Sequence, residues 1–252
     1  IRCSMMDMQK AGLDLNQARK GLEMLVFWVS LGAFIGSHIL ISRTAIKPWL
    51  VARLGMKTYL VLYSVLSILL LAWLVKAAQA APRTDLWPWS HALYWFPALL
   101  MPLAFALLVS GFVVSNPLSI APKDAPFDHE RPPLTVALTR HPILWGFALW
   151  SFSHLIVNGE FPLALMFFVF LLFSLAGIFF IDRKRRKDLG DAKWTVLTKN
   201  APALLFCSHA LWMRQFRLTK QDVVGMIGGL LLYTAFRHLH LWLFGIDPAL
   251  HM

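Results

Sequence analysis

Long apolar runs separated by short polar connectors set out the architecture of this chain. The first runs from Leu22 to Ile41 and holds Trp28 and His38; the second, Thr58 to Ala78, is a plain Leu/Val/Ser segment. The third, Tyr94 to Val114, has Pro97 and Pro102 in its first turns, which a span tolerates where neighbouring helices re-satisfy the freed carbonyls. The fourth, Leu134 to Val157, carries His141 and His154. The fifth follows the turn Asn158–Pro162 and ends at Ile181, and the sixth covers Val223 to Phe244 with His238 and His240. Each approaches the ~20 residues that a helix needs to cross a ~30 Å hydrocarbon core. The pattern predicts an all-α, polytopic membrane helix bundle of about six transmembrane helices, with short interfacial helices between them.

The polar stretches complete this plan. Residues 1–21 are mixed in charge and read as a tail or short surface helix, leaving 22–252 as one transmembrane domain. The proline-rich connector Ser115 to Arg131 reads as a surface loop or lid. Asp182 to Lys187, DRKRRK, reads as a polar stop, and Ala201 to Met213 is too short to cross, so it is assigned to the interface.

Composition agrees with the pattern. Of 252 residues, 58% are hydrophobic and 15% charged, with a mean hydropathy of +0.61. An average soluble domain is about half apolar and about a quarter charged. The net charge of +11 would point to nucleic acid in a soluble chain. Here no nucleic-acid partner is expected, because Lys and Arg gather in the connectors after runs one, three and five. That bias puts those connectors on the cytoplasmic side and both termini outside, with DRKRRK against anionic headgroups. The cysteines, Cys3 and Cys207, cannot build a disulfide framework, and no Cys-x-x-Cys-His occurs, so any haem would be held non-covalently. No phosphate loop, paired catalytic carboxylates or nucleophile–base arrangement falls in a run, which leaves catalytic residues and substrate unassigned. Glu160, beside His154 in sequence, reads as an interfacial carboxylate before it reads as a proton donor.

The remaining chemistry lies in the histidines. An imidazole in a span is costly and is a functional candidate by default, although a lone one is more often a hydrogen-bonded packing residue. Several on separate helices shift that balance: helix bundles build cofactor sites from facing helices, and neutral imidazole is the usual donor to haem iron. The focal stretch is Thr139 to Glu160, with Arg140 and His141 at its entry and His154 near its end. The separation of the two histidines is roughly 20 Å at the helical rise. Depth therefore pairs His38 with His141, and His154 with His240 or His238.

The order of features resembles the NnrU family of bacterial membrane proteins, which is similar to the 15-cis-zeta-carotene isomerases. The residues carrying the resemblance are Gly36-Ser37-His38, Leu54-Gly55 with Tyr59 and Tyr63-Ser64, Arg140-His141-Pro142, Trp150, Ser153-His154, Asn158-Gly159, and His240 with Gly245. The resemblance implies a haem b protein of the bacterial inner membrane. In the isomerase, iron is held by the histidines matching His38 and His154 and gates a cis-to-trans rotation of a lipophilic substrate. NnrU proteins themselves are linked to nitric oxide and denitrification metabolism. One departure stands out: the isomerase has a cysteine where this chain has Ser151. His154 is the leading ligand, with His38 and His240 competing for the second place. Ser153 and Asn158 are candidate partners for its ring, and Arg140 and Arg237 for the haem propionates, since guanidinium forks onto carboxylates. Arg140-His141-Pro142 with Gly146 also resembles the RHPxxxG element of S-adenosylmethionine-dependent membrane methyltransferases, in which His141 would face the cofactor. A further alternative is an accessory or assembly subunit of a respiratory membrane complex. Membrane lipids, a lipophilic substrate, and a homo-oligomer or larger complex are the expected partners.

Overall fold

The computed structural model describes residues 2–44, 46–88, 90–120, 126–207, 209–213, 215–246 and 248. Residues 121–125, in the middle of the proline-rich connector, lie outside them. Among the described residues all regular structure is helical: α1 (Arg2–Arg43), α2 (Ile46–Leu54), α3 (Met56–Ala80), a 3₁₀ turn His91–Tyr94 leading into α4 (Trp95–Val113), α5 (Leu134–Leu138), α6 (Pro142–Val157), α7 (Phe161–Leu189), α8 (Asp191–Thr198), α9 (His209–Trp212) and α10 (Lys220–Phe244). Among the described residues, four stretches are long and apolar enough to cross a membrane: Asp14–Ile41, Met56–Ala80, His91–Val113 and Phe161–Leu189. The fourth apolar run forms α6, whose 16 residues reach only about 24 Å. The sixth forms α10, long enough at 25 residues but bearing Lys220, Asp222, Arg237 and two histidines.

The chain divides into two compact units. The first comprises residues 1–87 and 159–166, in which α1, α2 and α3 pack on one another. α1 runs unbroken from Arg2 through the polar residues before Leu22 into the first apolar run. The stretch is rich in good helix formers, and propagating an existing helix costs far less than nucleating one. Arg19 Nε donates to Glu23 Oε1 at 2.9 Å, one turn on. Phe27 and Leu74 are fully buried between α1 and α3. The reversal from α2 into α3 is made by Gly55 at φ 78°, where a side chain would be strained. Beyond α3 the chain is tied to residues 159–161 by Leu86 N–H on Gly159 O (2.8 Å) and Phe161 N–H on Thr84 O (2.9 Å). At Gly159 a Cβ would lie 2.2 Å from Trp87 O, so only glycine fits.

The second unit comprises residues 88–158 and 167–252. Here α4 packs against both α6 and α10, through glycines that bring backbones together as in other membrane helix pairs. A Cβ at Gly146 would fall 2.8 Å from Ala104 O, one at Gly225 2.6 Å from Ser110 Cα, and one at Gly229 2.5 Å from Ala106 Cα. The buried Asp222 carboxylate fixes the start of α10. It closes a capping box with Thr219 and also accepts from Thr135 N–H (2.9 Å) and Oγ1 (2.7 Å) on α5. The described part of the connector 115–131 is not a loose lid. Leu118 is fully buried in a cluster with Val114, Val136, Leu197 and Ala201, against which Phe127, Leu189 and Trp194 pack.

Candidate functional site

The focal stretch begins later as a helix than the apolar pattern predicts, because Pro142 occupies the first turn of α6 and His141 is its N-cap, the arrangement that proline's fixed φ favours. Thr139 before it is extended; its Oγ1 donates to Ala203 O (3.1 Å) and accepts from His141 N–H (3.1 Å). The segment 201–206 lies along this entry: Arg140 N–H reaches Pro202 O at 2.8 Å, Phe206 N–H reaches Leu138 O at 3.1 Å, and Trp145 Nε1 donates to Ala203 O at 2.8 Å. The stretch Ala201–Met213, assigned from sequence to the interface, thus packs on protein over its first residues.

One carboxylate on α7 gathers the polar side chains of this entry. Arg140 forks onto Asp182, with Nε 2.9 Å from Oδ1 and Nη2 on Oδ2, and its Nη1 donates to Ala201 O at 2.8 Å. The guanidinium also lies over Trp194, 5.3 Å from the ring centre. His141 Nε2 sits 2.7 Å from the same Asp182 Oδ1. The His141 side chain is fully buried, and its Nδ1 meets no hydrogen-bond partner among the described residues. Sequence reasoning missed Asp182 by reading DRKRRK as a stop signal. Arg140, a candidate propionate partner by sequence, here forks onto an internal carboxylate. His141, which would face the cofactor in the methyltransferase alternative, shares that carboxylate.

His154 lies in the last turn of α6. Its Nδ1 is 2.9 Å from Trp150 O, and its ring rests between Trp150 (5.1 Å between centroids) and Phe167 (4.9 Å). The side chains expected to hold it do otherwise: Ser153 Oγ donates to Leu149 O at 2.8 Å, and Asn158 Nδ2 to the His154 carbonyl at 2.7 Å. The fully buried Ser151 Oγ has no partner among the described residues, whereas Ser153 and Ser174 bond back to their own helices. In the same unit, His240 lies on α10. Its Nδ1 meets Ile246 O at 2.8 Å, and its ring packs on Phe244. His238 is exposed, and Arg237 is partly buried three residues before His240. In the first unit His38 Nδ1 meets Phe34 O at 2.8 Å, with its ring against Phe34 and edge-on to Tyr63. Glu160, also in that unit, pairs with Arg83 at 3.1 Å.

His38, His154 and His240 therefore share one arrangement that His141 does not. A carbonyl only accepts, so in each neutral ring Nδ1 carries the proton and Nε2 the lone pair. A bond of this kind to a backbone carbonyl is the usual outer support of a metal-bound histidine. Among the described residues, no group of three or more His, Cys, Asp or Glu gathers as a metal-binding set; a haem, whose porphyrin supplies four donors itself, needs only one or two.

Among curated proteins and among solved structures, nothing matches the chain. The family model described as NnrU protein matches residues 26–248, a range that holds α2 to α10 whole, His38, Arg140, His141, Asp182, His154 and His240. The chain belongs to the NnrU family.

Proposed function

We propose that this NnrU-family chain is an integral membrane haem b protein of the bacterial inner membrane, in which His154 would hold the iron, with both termini on the outer face. The observation that carries this reading is the Nδ1 bond from His154 to Trp150 O at 2.9 Å, which turns the lone pair onto Nε2 between two aromatic rings. The second residue that would hold the iron is His240, which lies in the same unit and has its Nδ1 on a backbone carbonyl as well. Arg237, three residues before His240, and Arg140 would be the guanidinium partners of the propionates. Ser151 adds a buried hydroxyl without a partner, three residues before His154, that a polar ligand would satisfy. Bound haem would supply one-electron redox chemistry, in keeping with a role in nitric oxide metabolism or in isomerising a lipophilic substrate. The chain's own residues orient the imidazoles and, through Trp150 and Phe167, keep water from their faces.

A second reading rests on the same bonds. A histidine in hydrocarbon that bonds the preceding turn is already satisfied, and His38, His154 and His240 would then be packing residues of an accessory subunit. Optical absorption of the detergent-purified chain separates the two: the haem reading expects a Soret band that is lost in His154→Ala, and the packing reading expects colourless protein.

A further inference from the structure

Within the first unit, α2 folds over the ends of α1 and α3 and leaves a cavity of about 110 Å³ lined by Ile41, Leu50, Leu54, Tyr59, Leu62, Tyr63 and Leu66. Its walls are almost wholly apolar. Leu54, Leu62 and Leu66 remain 42%, 53% and 41% exposed, so the cavity opens to the surface. An apolar cavity of about 150 Å³ holds a six-carbon ring, so this one has room for about four methylenes.

One cation reaches its wall, and others lie close by in sequence. Lys47 Nζ lies over Tyr59, a lining residue, at 5.9 Å from the ring centre, and the Arg53 guanidinium lies over Trp49 at 4.6 Å. Lys57 follows two residues before Tyr59, exposed. No Asp or Glu occurs between Glu23 and Asp85, so nothing in α2 or α3 neutralises these charges. Trp49 is half-exposed beside them, as aromatic side chains are at the headgroup level.

We infer that α1, α2 and α3 form a binding site for one anionic glycerophospholipid, with part of an acyl chain in the cavity and the headgroup phosphate on Lys47 and Arg53. Apolar lining alone would take any hydrocarbon; the cations, with no acid among them, select the headgroup. The inference is independent of haem, since it uses none of the proposed ligands.

The test is native mass spectrometry of the delipidated full chain, titrated with dioleoyl phosphatidylglycerol and with dioleoyl phosphatidylcholine. Each basic side chain near a headgroup adds a factor of about five, so phosphatidylglycerol is expected to bind at least about tenfold more tightly. K47Q/R53Q, which removes one half-buried and one exposed cation, should abolish that preference while leaving phosphatidylcholine binding unchanged. Leu62→Trp, which fills the cavity from an exposed wall, should weaken both lipids. Equal affinity for the two lipids overturns the proposal. So does a preference that survives in K47Q/R53Q, which would place the headgroup elsewhere, or binding indifferent to Leu62→Trp.

Discussion

Asp182 Oδ1 stands 2.7 Å from His141 Nε2 and 2.9 Å from Arg140 Nε, so a single carboxylate on α7 holds both polar residues that precede α6. The three side chains are 20%, 13% and 0% exposed for Asp182, Arg140 and His141. Removing one member of a buried charge pair typically costs about 3–5 kcal/mol, because the other charge stays behind without its counterion. Asp182→Asn is therefore expected to destabilise the protein by about 3 kcal/mol, read as a lowered Tm in detergent. The double replacement Arg140→Met/Asp182→Leu, which leaves no orphaned charge, should be milder than Asp182→Asn alone. An unchanged Tm in Asp182→Asn would remove this carboxylate from the account.

Close packing of α10 on α4 makes a sharper contrast between adjacent glycines. A methyl at Gly229 would sit 2.5 Å from Ala106 Cα and 2.6 Å from Phe105 O, both backbone atoms, whereas one at Gly228 meets only a Val109 methyl at 3.3 Å. Overpacking of this kind costs about 1–3 kcal/mol. Gly229→Ala should lower stability by that amount and Gly228→Ala by less than half of it, as thermal unfolding of the two variants side by side would show.

The buried carboxylate of Asp222 serves Thr135 on α5 and Thr219 at the start of α10. Thr219→Ala removes the cap hydroxyl and is expected to cost about 1 kcal/mol. Asp222→Ala also leaves Thr135 N–H and Oγ1 unsatisfied in the interior, at about 1–3 kcal/mol for each such group, so it should be clearly the more damaging. Hydrogen exchange at Thr135 N–H reports the difference directly: faster in Asp222→Ala, unchanged in Thr219→Ala.

The second, third and fifth spans were legible in the sequence because unbroken runs of Leu, Val and Phe permit little else. The extension of α1 back to Arg2 was not, because the apolar pattern fades at Leu22 while the helix continues on propensity alone. Pro142 already carried the signal for a late start to α6, since a proline inside an apolar run marks a first turn more readily than a middle one. The histidine positions were legible as chemistry, but their partners were not. His154 bonds Trp150 O on its own helix, a contact that spacing contains but that composition cannot select over Ser153 or Asn158. Asp182 was hidden by its basic neighbours. It is the sole acid between Glu160 and Asp188, and an acid closing an apolar run calls for a cation, which Arg140 supplies.

The central claim is that His154 presents Nε2 to haem iron, and optical absorption of the full chain, expressed with haem supply and purified in detergent, tests it most directly. The account predicts a Soret band with iron bound near one per chain, lost in His154→Ala while far-ultraviolet circular dichroism shows the helices intact. A colourless, iron-free wild-type protein, or a Soret band unchanged in His154→Ala, would contradict it.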